Sequence, residues 1–409
     1  MSAATHPSSS SSASSAPSSN ATMGSIDALS NAMHTDEPVE LILLGTGTSS
    51  TLPHVDCLTR PPNVKQCRAC TATLRPEGRK NKRGNTSAVL RVRGRDGEPK
   101  TIVIDVGKSF MQSAVEWFPK YGLRRIDAVL ITHGHADAMN GLDDLRGWTL
   151  GGAIQSHVDI YLTEETFESV KIAFPYLVQK EFATGGGDVP EFRWHFITDR
   201  QPFEIEDTGI MVKPFAVPHG FCGAKRIKAT AVVPDHGISA FGNENSSSPW
   251  PSGLPGTPVT TGVSTPTQEE FLCLGFIVQN AVTYISDASR IPPDVMEMLQ
   301  SHGTPVLILD CLYLKPHKSH LSLQQSVEYA RLIGSPRTYL VGFSHEVSHE
   351  EYETLLKAVG GRQIPPEEMT ESVERGLSTL DLHGEQIWIR PGYDGLRVFV
   401  SEDGHSRDL

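Results

Sequence analysis

Short β-branched runs recur along the chain, and each ends at a polar or ionisable residue. Residues 40–44 run into Gly45-Thr46-Gly47-Thr48, residues 101–104 into Asp105, and residues 126–131 into Thr132-His133. Further along, 211–217 lead to Pro218-His219, 282–286 to Asp287, 306–309 to Asp310 and 338–341 to Ser344-His345. Short apolar runs bounded by turn signals predict strands. Between them, apolar positions at helical spacing predict helices over 323–333 and 350–359. Strands alternating with helices predict an α/β architecture. Because His or Asp recurs at the strand ends, the chemistry is expected along one edge of the sheets. No internal repeat at a fixed period is visible.

The pattern lapses in two places. Residues 1–36 are rich in Ser, Ala and Pro, with ten serines in the first nineteen positions and no Lys or Arg. Such a segment cannot bury enough apolar surface to offset its ordering entropy, so it is expected as a disordered tail. It has neither the Arg of a mitochondrial presequence nor the apolar core of a secretory signal. The second lapse, at about 235–270, contains an Asn/Ser/Pro stretch and a Thr/Pro/Ser run. A disordered insertion is expected there in preference to a substrate lid. The remainder of 37–409 is expected to form one large domain.

No apolar run approaches the ~18–20 residues needed to span a bilayer, so no membrane role is expected. Six cysteines are few, and Cys57, Cys67 and Cys70 cluster. That favours metal ligation over a disulfide framework and a reducing compartment, the cytoplasm, with the nucleus left open. The net charge of −12 supplies no basic footprint, so nucleic acid is not expected as a partner. A small anionic substrate stays compatible with it, since bound metal ions can be the largest local charges in a site.

Candidate chemistry concentrates after the run 126–131, where the chain reads Thr132-His133-Gly134-His135-Ala136-Asp137. Imidazole is the usual ligand of a borderline-soft ion, and a tight His-x-His turn after a strand aims both rings at one spot. His219, Asp287 and His345 then follow in order, each at a strand end. This series resembles the metallo-β-lactamase fold of metal-dependent hydrolases, whose signature is His-x-His-x-Asp-His, then a His, a bridging Asp and a last His. The resemblance covers about residues 38–400. It implies a first metal held by His133, His135, His219 and Asp287, and a second held by Asp137, the bridging Asp287 and His345. The sequence departs from the signature at Ala138, where the family has a ligating His, so the second ion is expected to be weaker or completed by water or substrate. Asp143 and Asp144 are expected to cap, pair with Arg146 or support the site from outside. If 137–147 were one helix, Asp144 would lie about 10 Å from Asp137 along its axis.

Four further features look like the branch containing the phosphoribosyl cyclic phosphate phosphodiesterases and their plant and fungal relatives. They are the Gly-Thr-Gly-Thr stretch at 45–48, the cysteine cluster, Ser319-His320-Leu321-Ser322 and the pair His345/His349. The Gly-Leu-Asp-Asp-Leu-Arg stretch at 141–146 looks like that branch too. The resemblance implies a separate structural zinc on Cys57, Cys67, Cys70 and His349. The nine-residue gap between Cys57 and Cys67 is longer than the family's spacing. It also implies that His320 is catalytic, protonating the leaving group, with Asp137 orienting water. Cys222, Cys273 and Cys311 lack ligand spacing and are expected as core or incidental residues. The glycines at 45 and 47 are expected to permit a tight strand exit; without a following Gly-Lys-Ser/Thr they do not make a phosphate loop. The basic run 79–83 is expected as a solvated loop.

The resemblance thus implies a four-layer αβ/βα sandwich and a metal-dependent hydrolase that cleaves a small phosphodiester, cyclic or open. The implied cofactors are Zn²⁺ or Mn²⁺, one tight and one weaker in the active site, besides the structural Zn²⁺. A thioester hydrolase, an RNA-processing nuclease and a non-catalytic scaffold on the same fold are the alternatives. A homodimer is left open.

Overall fold

The computed structural model describes residues 38–184, 188–222 and 269–409; the expected tail and nearly all of the expected insertion lie outside them. The apolar runs form strands. The first six are β1 (Val39–Gly45), β2 (Ser87–Arg93), β3 (Pro99–Ile104), β4 (Ala128–Leu130), β5 (Val158–Leu162) and β6 (Phe192–Phe196). Next come β7 (Phe203–Ile205), β8 (Ile210–Phe221), β9 (Glu270–Val278), β10 (Val282–Ile285), β11 (Val306–Asp310), β12 (Arg337–Val341) and β13 (Ile389–Pro391). The chain closes with β14 (Arg397–Val400) and β15 (Ser406–Asp408). One sheet has the order β15-β14-β1-β2-β3-β4-β5-β6, the other β13-β12-β11-β10-β9-β8-β7. Each is part antiparallel and part parallel: β3 to β6 run parallel in the first, and β10 to β13 in the second.

Strand β1 shows why these runs are continuously apolar. Leu41 and Leu43 face the seam between the sheets, whereas Ile42 and Leu44 pack outward with Phe110, Ala114 and Trp117. A strand covered on both faces has no polar side to present. Three apolar layers result. One lies between the sheets, with Leu90, Ile102, Phe276, Tyr284 and Ile308. A second lies under the helix Phe110–Tyr121. The third lies under the helices Leu323–Ile333 and His349–Val359. These layers separate helix, sheet, sheet and helix, the four-layer sandwich expected. The two expected helices form, the second starting one residue early, and Ser322 and Ser348 begin them with capping boxes.

Backbone bonds join the two sheets along one edge. Leu274 of β9 donates to the Thr132 carbonyl at 2.9 Å, and Gly342 donates to the Thr46 carbonyl at 3.0 Å. The 45–48 stretch is held against its neighbours in the same way, with the Gly47 N–H on the Gly84 carbonyl and Thr48 N–H on the Phe343 carbonyl. It is a strand exit, as expected.

In the basic run Arg79, Lys80 and Lys82 are exposed, as a solvated segment would have them, and Arg83 departs from that reading. Arg83 is buried, donating to Thr46 Oγ1 at 2.6 Å and the Gly392 carbonyl at 2.7 Å, with its guanidinium over the Phe343 ring. Its other nitrogen meets His349 Nδ1 at 3.2 Å, and Asn81 Oδ1 accepts the His349 N–H. A guanidinium has donors only, so the bond needs a neutral imidazole whose Nδ1 accepts. Burial, and then the charge of Arg83, push the His349 imidazole down to about 2.

Two predictions follow the packing. His349 titrates far below an unfolded histidine, so its contribution to stability is complete above about pH 6.5 and is lost as pH falls toward 2. His349→Gln should therefore flatten the stability–pH curve between pH 6.5 and 4.5 by up to about 1.4 kcal/mol per pH unit, read by urea unfolding. His133 and His135 add to the same acid slope, so the comparison with the parent isolates His349. Gly107 abuts the turn that carries Asp137, where a Cβ would lie 1.8 Å from the Asp137 carbonyl oxygen. Gly107→Ala should cost about 2 kcal/mol, the scale of overpacking, and equal stability would show that the turn yields freely.

Candidate metal centre

The chemistry-bearing residues meet where the strands of both sheets end. After β4, His133 is buried and His135 exposed, and the helical turn Ala136–Met139 starts at once, with Asp137 in it. His219 lies near the end of the long β8, beside an irregularity in the ladder with β9. Asp287 follows β10, and His320 precedes the helix Leu323–Ile333. One ring nitrogen from each of His133, His135 and His219 lies within 4.8 Å of the others. His219, Asp287 and His320 form a second such group, and His133, Cys273 and Asp287 a third.

The imidazoles share one arrangement. His219 Nδ1 lies 2.7 Å from the Ser319 carbonyl, an acceptor only, so Nδ1 carries the proton and Nε2 is the free lone pair. His133 Nδ1 lies 2.8 Å from Thr132 Oγ1, and His320 Nδ1 lies 3.1 Å from Asp310 Oδ2. His133 Nε2 is buried and has no hydrogen-bond partner among the described residues. An unpartnered buried acceptor of this kind costs free energy and is answered by a cation. The donor set, imidazoles with a carboxylate, suits a divalent ion such as zinc. The residues fit a bound metal.

The electrostatics agree. Burial, with the neighbouring imidazoles, pushes His133 down to about 3; desolvation of the His135 ring where it faces the site, and then the charge of His219, lower it to about 4. Burial alone would raise the Asp287 carboxyl, but His219, His133 and His320 outweigh it and hold it below the ordinary carboxylate range. Asp137 is raised, by burial and then by the charge of Asp287. Burial alone would lower His320; the charge and hydrogen bond of Asp310, and then Asp287, overcome it and raise the ring to about 9.

Two assignments are corrected. His345 is not with the active-site residues: its Nδ1 lies 3.1, 3.5 and 3.6 Å from the Sγ atoms of Cys57, Cys67 and Cys70. A tetrahedral ion with Zn–S near 2.3 Å and Zn–N near 2.0 Å implies N···S edges of about 3.5 Å. His349, expected in that cluster, is instead the buried partner of Arg83. Its position, one residue into the helix Ser348 caps, turns it away from the cysteines. Cys57 belongs to the cluster despite its long gap, and Cys57, Cys67 and Cys70 are all free thiols. Burial raises the Cys57 thiol, and raises Cys70 to about 12. A cation would reverse both, because a coordinated thiol deprotonates.

The stretch after Asp137 is not one helix, for it breaks at Asn140 and resumes as short turns at Asp143–Leu145 and Arg146–Thr149. Asp143 pairs with Arg146, one of the expected roles. Ala138 is buried, and its carbonyl accepts from the Val106 N–H at 2.8 Å.

Several residues here escaped the sequence reading. Asp105 accepts from both the Thr132 N–H and Oγ1, each at 2.8 Å, and so sets the turn that carries His133. Cys273, expected as a core or incidental residue, is in the core and also lies 3.6 Å from His133 Nδ1. Phe271 stacks on His135 with ring centroids 4.5 Å apart. The His54 ring lies 4.1 Å from that of His345, and the His54 backbone N–H donates to Cys70 Sγ. Asp105 and Asp310 had one visible signal, a strand end; the others had none.

Residues 100–233 match the Beta-lactamase superfamily domain. Among solved structures, a diphosphatase described as new to the PhnP family is similar, at 24% identity and a TM-score of 0.56, over 88% of this chain and 96% of that one. The Zn²⁺-bound PqqB of Methylobacterium extorquens is 15% identical with a TM-score of 0.54, over 88% of this chain and 99% of that one. A protein of Porphyromonas gingivalis named octanoyltransferase is 25% identical over 367 residues, 89% of this chain and 52% of that protein. The chain thus spans about half the length of that curated relative. Among the described residues no helix is long and apolar enough to cross a membrane. With its two mixed sheets between helical layers and its His and Asp residues at the strand ends, the chain has the metallo-β-lactamase fold.

Proposed function

We propose that the chain is a metal-dependent hydrolase that cleaves a small phosphodiester. The observation that carries the reading is the meeting of His133, His135 and His219, with Asp287 within ligand distance of His133 and of His219, beside a buried His133 nitrogen with no partner among the described residues. These four residues would hold a tight divalent ion, Zn²⁺ or Mn²⁺, and Asp137 with Asp287 a weaker one. Bound there, such ions polarise phosphoryl oxygens and lower the pKa of water to near neutrality. His219, with Nδ1 fixed on the Ser319 carbonyl, keeps Nε2 aimed inward. Asp137 would orient the attacking water. His320, kept protonated beside Asp310, would give its proton to the departing oxygen. A structural zinc would sit on Cys57, Cys67, Cys70 and His345. The phosphodiester class comes from the motif resemblance at 141–146 and 319–322, with which a diphosphatase among the similar structures is compatible.

Hydrolysis of bis(p-nitrophenyl) phosphate and a panel of cyclic phosphates, with Mn²⁺ or Zn²⁺ added, tests the reading. Metal-dependent turnover should fall at least about 100-fold in His135→Ala, the upper end of what loss of even an outer partner costs. Cleavage of a thioester alone, run alongside, would move the chain to another chemistry on this fold. Metal analysis checks the second site. Cys70→Ser and His345→Ala should each lose one zinc per chain and melt earlier, while His349→Gln keeps its zinc. The reverse pattern for the two histidines would overturn the assignment to His345.

A further inference from the structure

Away from the metal centre, a further group of ligand-type side chains meets at the outer edge of the first sheet. Strands β5 and β6 run parallel there, with Asp159 opposite Arg193 and Tyr161 opposite His195. His157 Nε2 lies 3.6 Å from Asp159 Oδ2, and His195 Nε2 lies 2.8 Å from Asp159 Oδ1. The Glu206 carboxylate, from the turn after β7, brings Oε2 to 3.7 Å from the same His195 nitrogen. Two imidazoles thus face the two oxygens of one carboxylate, and a second carboxylate reaches them from the other sheet.

The fold holds this arrangement in place. The buried Tyr161 ring stacks on His195, with centroids 4.4 Å apart and planes 11° from parallel. Its hydroxyl accepts the Glu206 N–H at 3.0 Å, so one side chain places both residues. His157 Nδ1 lies 2.8 Å from Ser156 Oγ, which can take the ring proton and leave Nε2 as the free lone pair. The ladder sets Arg193 opposite Asp159, yet among the described residues the ion pairs of Asp159 go to the two imidazoles. A tetrahedral ion with bonds near 2.0–2.1 Å sets its ligand atoms about 3.3 Å apart, and the three distances bracket that edge. Two neutral imidazoles with two carboxylates also carry the charge that one divalent cation cancels. Mixed nitrogen and oxygen donors suit zinc, whereas magnesium takes oxygen.

We propose that His157, Asp159, His195 and Glu206 form a further cation site, which takes a zinc-like divalent ion. None of the four belongs to the catalytic group or to the cysteine cluster. The ion fastens β5 and β6 to the turn after β7 and so joins the two sheets along the side where β6 and β7 are the outermost strands.

The test starts from protein dialysed free of loosely held metal and titrates it calorimetrically with Zn²⁺ and, in parallel, with Mg²⁺. A Zn²⁺ event that Mg²⁺ does not reproduce should survive Asp137→Asn, which alters only the catalytic group. The same event should weaken at least about 10-fold in His157→Ala and in His195→Ala. Saturating Zn²⁺ should raise the melting temperature of the parent more than that of His195→Ala. Absence of such an event, or its persistence in both histidine variants, would overturn the site and leave the cluster as ion pairs only. Ring-nitrogen spectra of the ¹⁵N-histidine-labelled parent give a reading that does not depend on how the variants fold. The Nε2 signals of His157 and His195 should move as Zn²⁺ is added, and unmoved signals would also overturn the proposal.

Discussion

A buried carboxylate facing several imidazoles is the constraint that the rest of this molecule serves. Asp287 has water almost nowhere around it, and His133 Nε2 beside it has no partner. Such a cluster is unfavourable in an apolar interior unless a cation completes it. The scaffold must therefore hold the ligands in place before any ion arrives, because the cluster has no reason of its own to form.

The two sheets meet this demand in parallel ways. In the first, Asp105 ends β3 and takes both hydrogen bonds that Thr132 can give, fixing the turn that presents His133. In the second, Asp310 ends β11 and takes the N–H groups that follow Asp287 and His320. The Leu274 to Thr132 bond then ties the sheets to each other beside the site. The loops after Ile131 and around Asp287 are thus anchored by a carboxylate on a neighbouring strand, and strands packed on both faces are the least mobile part of such a fold. Rigid elements supporting the ligand loops are what a preorganised centre requires.

The exchange of His345 and His349 shows where reading a sequence stops. Both are histidines, four positions apart, after the same strand. Which one reaches the cysteines depends on where the helix begins. Ser348 caps it, which puts His349 on its first turn under Arg83 and leaves His345 in the loop facing Cys57, Cys67 and Cys70. Arg83 itself lies in a basic run that composition assigns to solvent. Its burial is decided by the carbonyl, hydroxyl and imidazole acceptors that three distant segments bring to it.

The sequence by itself determined the α/β class, the order and nearly the bounds of the main strands, and the gathering of His133, His135, His219 and Asp287 at one edge. Those follow from local rules: two-faced burial demands continuous apolar runs, and a strand end puts the next side chain at the sheet edge. It also carried the three cysteines as a ligand group by residue type. Only the tertiary structure decided their fourth partner, the burial of Arg83, the place of Cys273 and Phe271 against the histidines, and the work of Asp105 and Asp310. Each of those rests on a contact between segments far apart in the chain. Nothing in the local pattern of either segment encodes such a meeting; packing of the layers does.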